Sequence, residues 1–288
     1  MTLSYWRDRV FKIVFMNKFF KYFLIVLVCA NVFTFCIIFE YLYLGNGEVN
    51  FLNVGQGDAE LIKTYAGNIL IDAGPDESIV RELDDSLSFF DRTIDLFILS
   101  HPNKDHFYGI VEILDKYKIR AVMLNNVFYS DSQYQKLLQE LEKKNILIIK
   151  GFEGIKVSLG KEDKFSVLYP KSMVPFGGDP NKFSLVLSLC LGQNYFLFTG
   201  DISDIQEKEI LPFLLKDNKL RILKVAHHGS RYASSWQFLE SFMPHVAIIE
   251  VGNNNYGHPH PDTLERLEQV GSTIFRTDLD GTIRFKIK

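Results

Sequence analysis

From Tyr22 to Phe39 the chain runs for 18 residues without a charge. As a helix this run is about 27 Å long, close to the hydrocarbon thickness of a bilayer. Phe19, Phe20 and Tyr41 to Leu44 lengthen it on either side. Arg7, Arg9, Lys12, Lys18 and Lys21 precede it, opposed by Asp8 alone, and Glu40 and Glu48 follow it. The positive-inside rule then assigns residues 1–21 to a cytoplasmic basic tail, 22–44 to a transmembrane anchor, and residues 48–288 to an extracytoplasmic domain. The basic stretch is long and no small-x-small cleavage site follows, which favours an uncleaved single-pass anchor over a removable signal peptide.

Five of the 32 basic residues and two of the 35 acidic ones lie in the first 44 residues, so the remainder is the more acidic part. That argues against a broad electrostatic grip on duplex nucleic acid. The candidates for a local basic stripe are Lys104, Arg120, Lys171, Arg231 and Arg276. Of the three cysteines, Cys29 and Cys36 lie in the apolar run, leaving Cys190 alone in the domain. A thiolate zinc site and a disulfide framework are both excluded there. Any metal must be held by imidazole and carboxylate.

Short β-rich runs bounded by Gly, Asp or Asn fill the domain: 49–54, 59–64, 68–72, 95–100, 120–124, 146–150, 165–169, 184–191, 195–199, 220–225, 246–249 and 282–285. The runs at 95–100, 120–124 and 146–150 are apolar enough for burial on both faces. Helical periodicity covers 133–144, 205–216, 235–242 and 263–270, with Asp262 as a candidate N-cap for the last. Many strands mixed with several helices imply an α+β architecture of sheets packed on each other and covered by helices.

Polar residues cluster directly after the strand runs. The clusters are Gly55-Gln56-Gly57-Asp58, Asp72-Ala73-Gly74, His101-Pro102-Asn103-Lys104-Asp105-His106, Thr199-Gly200-Asp201, His227-His228-Gly229-Ser230 and Gly257-His258-Pro259-His260-Pro261. Six of the seven histidines fall in these patches. Imidazole and carboxylate in this mixture suit zinc, manganese or iron. A loop carrying His101, Asp105 and His106, with Asp201 and His227 closing the sphere, would cage a divalent ion. Such an ion lowers the pKa of a bound water, so no Ser or Cys nucleophile is needed. No Gly-x-Ser-x-Gly elbow is present.

The order strand-Asp72, His-x-x-x-Asp-His, Gly-Asp201, His227 resembles the metallo-β-lactamase superfamily. Asn53 to Asp58, Leu70 to Gly74, Lys224 to Ser230, Tyr256 to Pro261 and Arg276 to Gly281 resemble the hydrolase domain of ComEC-type DNA-uptake proteins. The resemblance covers about residues 48–287. It implies a four-layer αββα sandwich after one transmembrane helix, and a phosphodiesterase or nuclease acting on single-stranded DNA in a competence-like context. It implies zinc or manganese bound by Asp105, His106, Asp201 and His227, with His101 a ligand or beside the site. Asp105, Lys224 and His228 would serve catalysis. Asp72 would orient the ligand loop and Asp58 would lie at the rim. Lys224, His228, Ser230, His258 and His260 would face substrate or stabilise charge.

Three features depart from the family pattern. Asn103 replaces the second His of His-x-His-x-Asp-His, and Asn181 stands where a further His is expected. Both changes fall on the metal position that His101 would serve, so one ion is expected to bind firmly and a second weakly. One anchor cannot form a DNA channel, so the chain would work beside a separate channel protein or outside uptake altogether. Glu250 stands where a small polar residue is usual. Two alternatives remain at this point: hydrolysis of a small or cell-envelope ester, and a non-catalytic envelope binding module.

Overall fold

The structure is a computed structural model that describes residues 3–43, 47–88, 90–125, 127, 129–160, 163–171, 178–214 and 218–287. The chain divides into two compact units, Met1–Gly45 and Asn46–Lys288. The first is one helix, α1 (Leu3–Tyr43). Within it Lys18–Ile38 is long and apolar enough to cross a membrane, and none of that stretch is buried. A helix whose apolar side chains stay exposed is stable only where another apolar medium covers it.

The second unit holds two seven-stranded sheets. The first uses β1 (Glu48–Phe51), β2 (Glu60–Thr64), β3 (Gly67–Ile71), β4 (Thr93–Leu99), β5 (Lys118–Asn125), β6 (Leu147–Gly151) and β14 (Ile283–Lys286), in the order β14-β1-β2-β3-β4-β5-β6. The second uses β7 (Lys156–Ser158), β8 (Lys164–Tyr169), β9 (Val186–Leu191), β10 (Asn194–Phe198), β11 (Leu220–Lys224), β12 (Val246–Ile249) and β13 (Thr273–Arg276), in the order β13-β12-β11-β10-β9-β8-β7.

Each sheet is antiparallel on one side and parallel on the other. In the first, β3, β4, β5 and β6 run parallel. In the second, β10, β11, β12 and β13 do. Parallel neighbours need a crossover, and helices supply it. These are α2 (Ser78–Ser86), α3 (Lys104–Ile113) and α4 (Ser132–Lys143) on the first sheet, and α5 (Asp204–Ile210), α6 (Trp236–Phe242) and α7 (Pro261–Gln269) on the second. A short α8 (Thr277–Asp280) precedes β14.

Three apolar clusters define four layers. Phe51, Ile98, Phe165, Phe196, Phe198 and Ile248 pack between the sheets. Phe97, Phe107, Ile110, Tyr134 and Leu137 fill the space between the first sheet and its helices. Leu197, Ile210, Leu223, Phe238 and Phe242 do the same on the second. The αββα sandwich expected from sequence is the observed fold.

Several local expectations are corrected. Asp105 and His106 are not in a loop; they occupy the first turn of α3. The β6 run is an edge strand with Leu147 and Ile148 exposed, not a strand buried on both faces. His260, not Asp262, caps α7: its Nδ1 accepts from the Asp262 amide at 3.2 Å. The second half of the 205–216 run becomes a 3₁₀ turn, Leu211–Phe213, because Pro212 cannot donate the helix hydrogen bond. Its last two residues lie outside the described set.

Candidate metal centre

The two parallel halves aim their carboxyl-terminal strand ends at the same place, which is where open α/β sheets gather ligand-binding residues. Asp72 follows β3, His101 follows β4, Asp201 follows β10, His227 and His228 follow β11, and Glu250 follows β12. The Gly55–Asp58 loop closes over α3. Gly57 makes this possible: a Cβ there would meet the Asp105 carbonyl oxygen at 2.3 Å.

One ligand-capable atom from each of Asp105, His106, Asp201 and His228 lies within 4.8 Å of the other three. His228 Nε2 is 3.2 Å from Asp105 Oδ2 and 3.8 Å from Asp201 Oδ2. His106 Nε2 is 3.5 Å from Asp201 Oδ2 and 3.8 Å from Asp105 Oδ2. Four donors at about 2.1 Å from a tetrahedral ion stand about 3.4 Å apart, so these separations fit one cation. His106 Nε2 and Asp201 Oδ1 are buried without a hydrogen-bond partner, as atoms reserved for a further ligand would be.

Asp72 sits behind this set. Its Oδ2 is 2.7 Å from His106 Nδ1, and it accepts from the Ser100 amide at 2.7 Å and the Ser100 hydroxyl at 2.6 Å. A carboxylate on Nδ1 fixes the imidazole orientation and points Nε2 at the cluster. Replacing Asp72 with Asn keeps the shape but weakens that hold. We expect metal affinity to fall roughly 10- to 100-fold in a competition titration with a chelating dye, with little change in helix content by circular dichroism.

His227 and His228 both adopt left-handed backbone, at φ 51° and 52°, within the 3₁₀ turn Ala226–Gly229. Sequence reading put His227 in the ligand set. In the structure His228 is the member of the four-donor group, and His227 stands at the mouth with Nε2 3.7 Å from Asp201 Oδ2. His228 is held by its other nitrogen, 2.9 Å from the Glu250 carbonyl oxygen. His101 is fully buried beside the group, with Nε2 3.8 Å from Asp201 Oδ2. Burial, then the neighbouring His106, pushes its imidazole down to about 3.

Charge dominates the site. Burial opposes ionisation of Asp105 and Asp201, yet His106 and His228 hold both carboxyls below the ordinary range. Burial likewise opposes charging of His228, but Asp58 and Asp201 outweigh it and push the imidazole up to about 10.

Two expected roles are corrected by depth. Asp58 is buried beneath the site, not at its rim. Lys224 is fully buried and faces no substrate; its ammonium forms an ion pair with Asp58 and lies 3.4 Å from the Gly200 carbonyl. Asp58 also stands 3.2 Å from His228 Nδ1. Glu60 and Glu250 join Asp58 in a buried acidic group. Burial first, then the charge of Asp58, pushes Glu250 up to about 8, and burial and Glu250 raise Glu60 well above its usual range. Glu60 had no role in the sequence reading. A lone charge inside an otherwise apolar strand, Ala59-Glu60-Leu61-Ile62, is the signal that marks it.

The cluster opens into a cleft of about 440 Å³ lined by Gln56, Asn103, Lys104, Asn181, Tyr256 and His258, among others. Asn103 Nδ2 donates to Asn181 Oδ1 at 2.5 Å, so the two residues standing in for histidines meet across the cleft. Ser230 is buried, and its carbonyl accepts from the Thr263 hydroxyl at 2.9 Å. His260 is engaged at the start of α7, and neither it nor Ser230 is among the residues lining the cleft. Of the candidate basic stripe only Lys104 lines it. Arg120, Lys171, Arg231 and Arg276 are each within 3.6 Å of a carboxylate of their own.

Residues 52–249 match the family described as the metallo-beta-lactamase superfamily. The chain is 30% identical over 281 residues to ComE operon protein 3 of Bacillus subtilis, which covers 91% of this chain and 35% of that protein. It is 24% identical over 235 residues to Competence protein ComA of Neisseria gonorrhoeae, covering 81% and 31%. The chain thus spans about a third of the length of these curated relatives. The metallo-beta-lactamase fold protein YhfI of Bacillus subtilis superposes with a TM-score of 0.55 at 12% identity, over 83% of this chain and all of that one. Fold, donor cluster and family match agree: the chain belongs to the metallo-beta-lactamase superfamily.

Proposed function

We propose that this protein is a membrane-anchored, metal-dependent phosphodiesterase that cuts single-stranded DNA outside the cytoplasm in a competence-like context, with a separate channel protein as partner. The observation that carries the reading is the convergence of Asp105, His106, Asp201 and His228 at the floor of an open cleft. These four would hold the ion, with His227 and His101 adjoining it. A divalent cation there supplies Lewis acidity toward a phosphoryl oxygen and an activated water.

The chain's own groups do the rest. Asp105 is the one of the four donors partly open to the cleft, its side chain 33% exposed, so it would meet substrate as well as hold the ion. His258 is pushed down to about 4 by burial and by His227 and His228, so its imidazole is neutral and can donate or accept a hydrogen bond without carrying charge. Lys104 brings a positive charge to the rim, where a phosphate arrives. Lys224 acts from beneath: its ammonium holds Asp58 in place beside His228. The relatives named for competence support the DNA context, and the basic residues before the apolar helix support an outward-facing domain.

The test uses the full chain in detergent with manganese or zinc, against single-stranded DNA, duplex DNA and a small phosphodiester. We expect the single strand to be cut fastest and a chelator to abolish cutting. Turnover of the small ester alone would replace DNA with an envelope or small-molecule ester as substrate. No turnover of any of the three would leave a binding module.

A further inference from the structure

The cleft carries an aromatic residue that the metal chemistry does not use. Tyr256 lines the cleft and is 76% exposed. Exposed tyrosines are common and need no explanation singly. This one differs in how it is held. The Asn254 side chain accepts from the Tyr256 amide at 3.0 Å and the His258 amide at 3.1 Å. Its amide group donates to the Gly252 carbonyl at 2.9 Å and the His258 carbonyl at 2.8 Å. Four hydrogen bonds from one side chain fix the loop that presents the ring.

Its position relative to the donor cluster is defined by a run of rings. Tyr256 and His258 have centroids 6.0 Å apart, and His258 and His228 6.5 Å. Only His258 therefore separates Tyr256 from a member of the four-donor group. Lys104 also lines the cleft, its ammonium held 5.5 Å from the centroid of the Tyr108 ring. A flat exposed ring and a cation beside a phosphate-directed centre are the parts from which single-stranded nucleic acid sites are built.

We propose that Tyr256 is a stacking platform for a nucleobase of the bound strand, next to the phosphate being attacked. This rests on the phosphodiesterase reading and adds the means by which the strand is selected. A base inside a duplex already stacks on both faces, and freeing one costs a few kcal/mol. A single strand offers its bases without that cost. Every base has a π face, so the platform favours unpaired strands without reading sequence.

The test compares wild type, Tyr256→Ala and Tyr256→Phe in the full, detergent-solubilised chain loaded with manganese. The substrates are a single-stranded oligonucleotide and an oligomer of the same length with abasic sugars throughout. Tyr65→Ala is the control, since Tyr65 is exposed at the β2–β3 turn, at the opposite end of those strands from Asp58 and Asp72. For Tyr256→Ala we expect KM on the oligonucleotide to rise roughly tenfold, the size of effect a single base–aromatic stack carries, with the loss on KM rather than kcat. Tyr256→Phe should retain wild-type KM, and the alanine change should leave KM on the abasic oligomer unmoved. An unchanged KM on the oligonucleotide, or an equal loss on the abasic oligomer, overturns the platform while leaving the phosphodiesterase reading intact. Failure of wild type to cut either oligomer overturns both.

Discussion

On the proposed phosphodiesterase reading, replacing Asp201 with alanine should lower phosphodiester cleavage by at least about 10³-fold, the several kcal/mol that a cation contributes to the transition state. Asp201 is the hub of the cluster. Its Oδ2 faces His106 at 3.5 Å, His227 at 3.7 Å, and His101 and His228 at 3.8 Å. No other side chain reaches all four of these imidazoles among the described residues. Without this anion the donor set loses one of its two carboxylates, the one that faces all four imidazoles, and with it much of the negative charge that attracts a cation. The backbone should hold its course, because the Asp201 amide donates to the Ser184 hydroxyl at 3.1 Å and not to its own side chain. Kinetics with added manganese, together with far-ultraviolet circular dichroism, check both halves. Native helix content with lost activity is the expected pair. A variant that keeps its activity at any manganese concentration would remove Asp201 from the chemistry.

Replacing Lys224 with methionine should damage the fold itself. The ammonium is fully buried, paired with Asp58 and close to Glu60 and Glu250. Removing one partner of a buried ion pair leaves the other as an uncompensated charge, which costs about 3–5 kcal/mol. In a unit of this size each kcal/mol lowers Tm by roughly 2–4 °C, so a fall on the order of 10 °C is expected in a thermal melt. Methionine fills much the same volume, so a cavity does not account for the loss. The double variant Lys224→Met, Asp58→Asn removes both charges and should recover part of it. A Tm within a degree or two of wild type would mean that water or a proton already neutralises Asp58, and the ion pair would lose its structural role.

The sequence disclosed the parts that obey short-range rules. Eighteen uncharged residues preceded by basic ones predict a helix long and apolar enough to cross a membrane, and Lys18–Ile38 of α1 is such a helix. Polar words at the ends of apolar runs marked the strand ends that build the cleft, because a buried strand must stop where chemistry begins. The resemblance implies that Asp72 stands behind the ligand motif, and its Oδ2 lies 2.7 Å from His106 Nδ1. Direction and depth are not legible in the same way. The α3 helix went unseen because its first turn reads as a ligand motif and Gly109 interrupts its pattern; that glycine is needed because a Cβ would meet the Ala73 carbonyl oxygen at 2.0 Å. His227 and His228 are neighbours in a turn with left-handed backbone, and no periodicity says which ring turns inward. Asp58 and Lys224 come from loops and strands 166 residues apart, and only the closed sandwich shows that they meet out of solvent. The exposure of β6 depends on its being last in its sheet, a fact of topology that its apolar composition does not reveal.

Metal content of the full chain, measured by mass spectrometry after equilibration with manganese and extensive dialysis, addresses the central claim most directly. About one ion per wild-type chain, and none in Asp201→Ala or His228→Ala, is the result expected if these side chains form a cation site. Equal metal in wild type and both variants, or none in any of them, would contradict it.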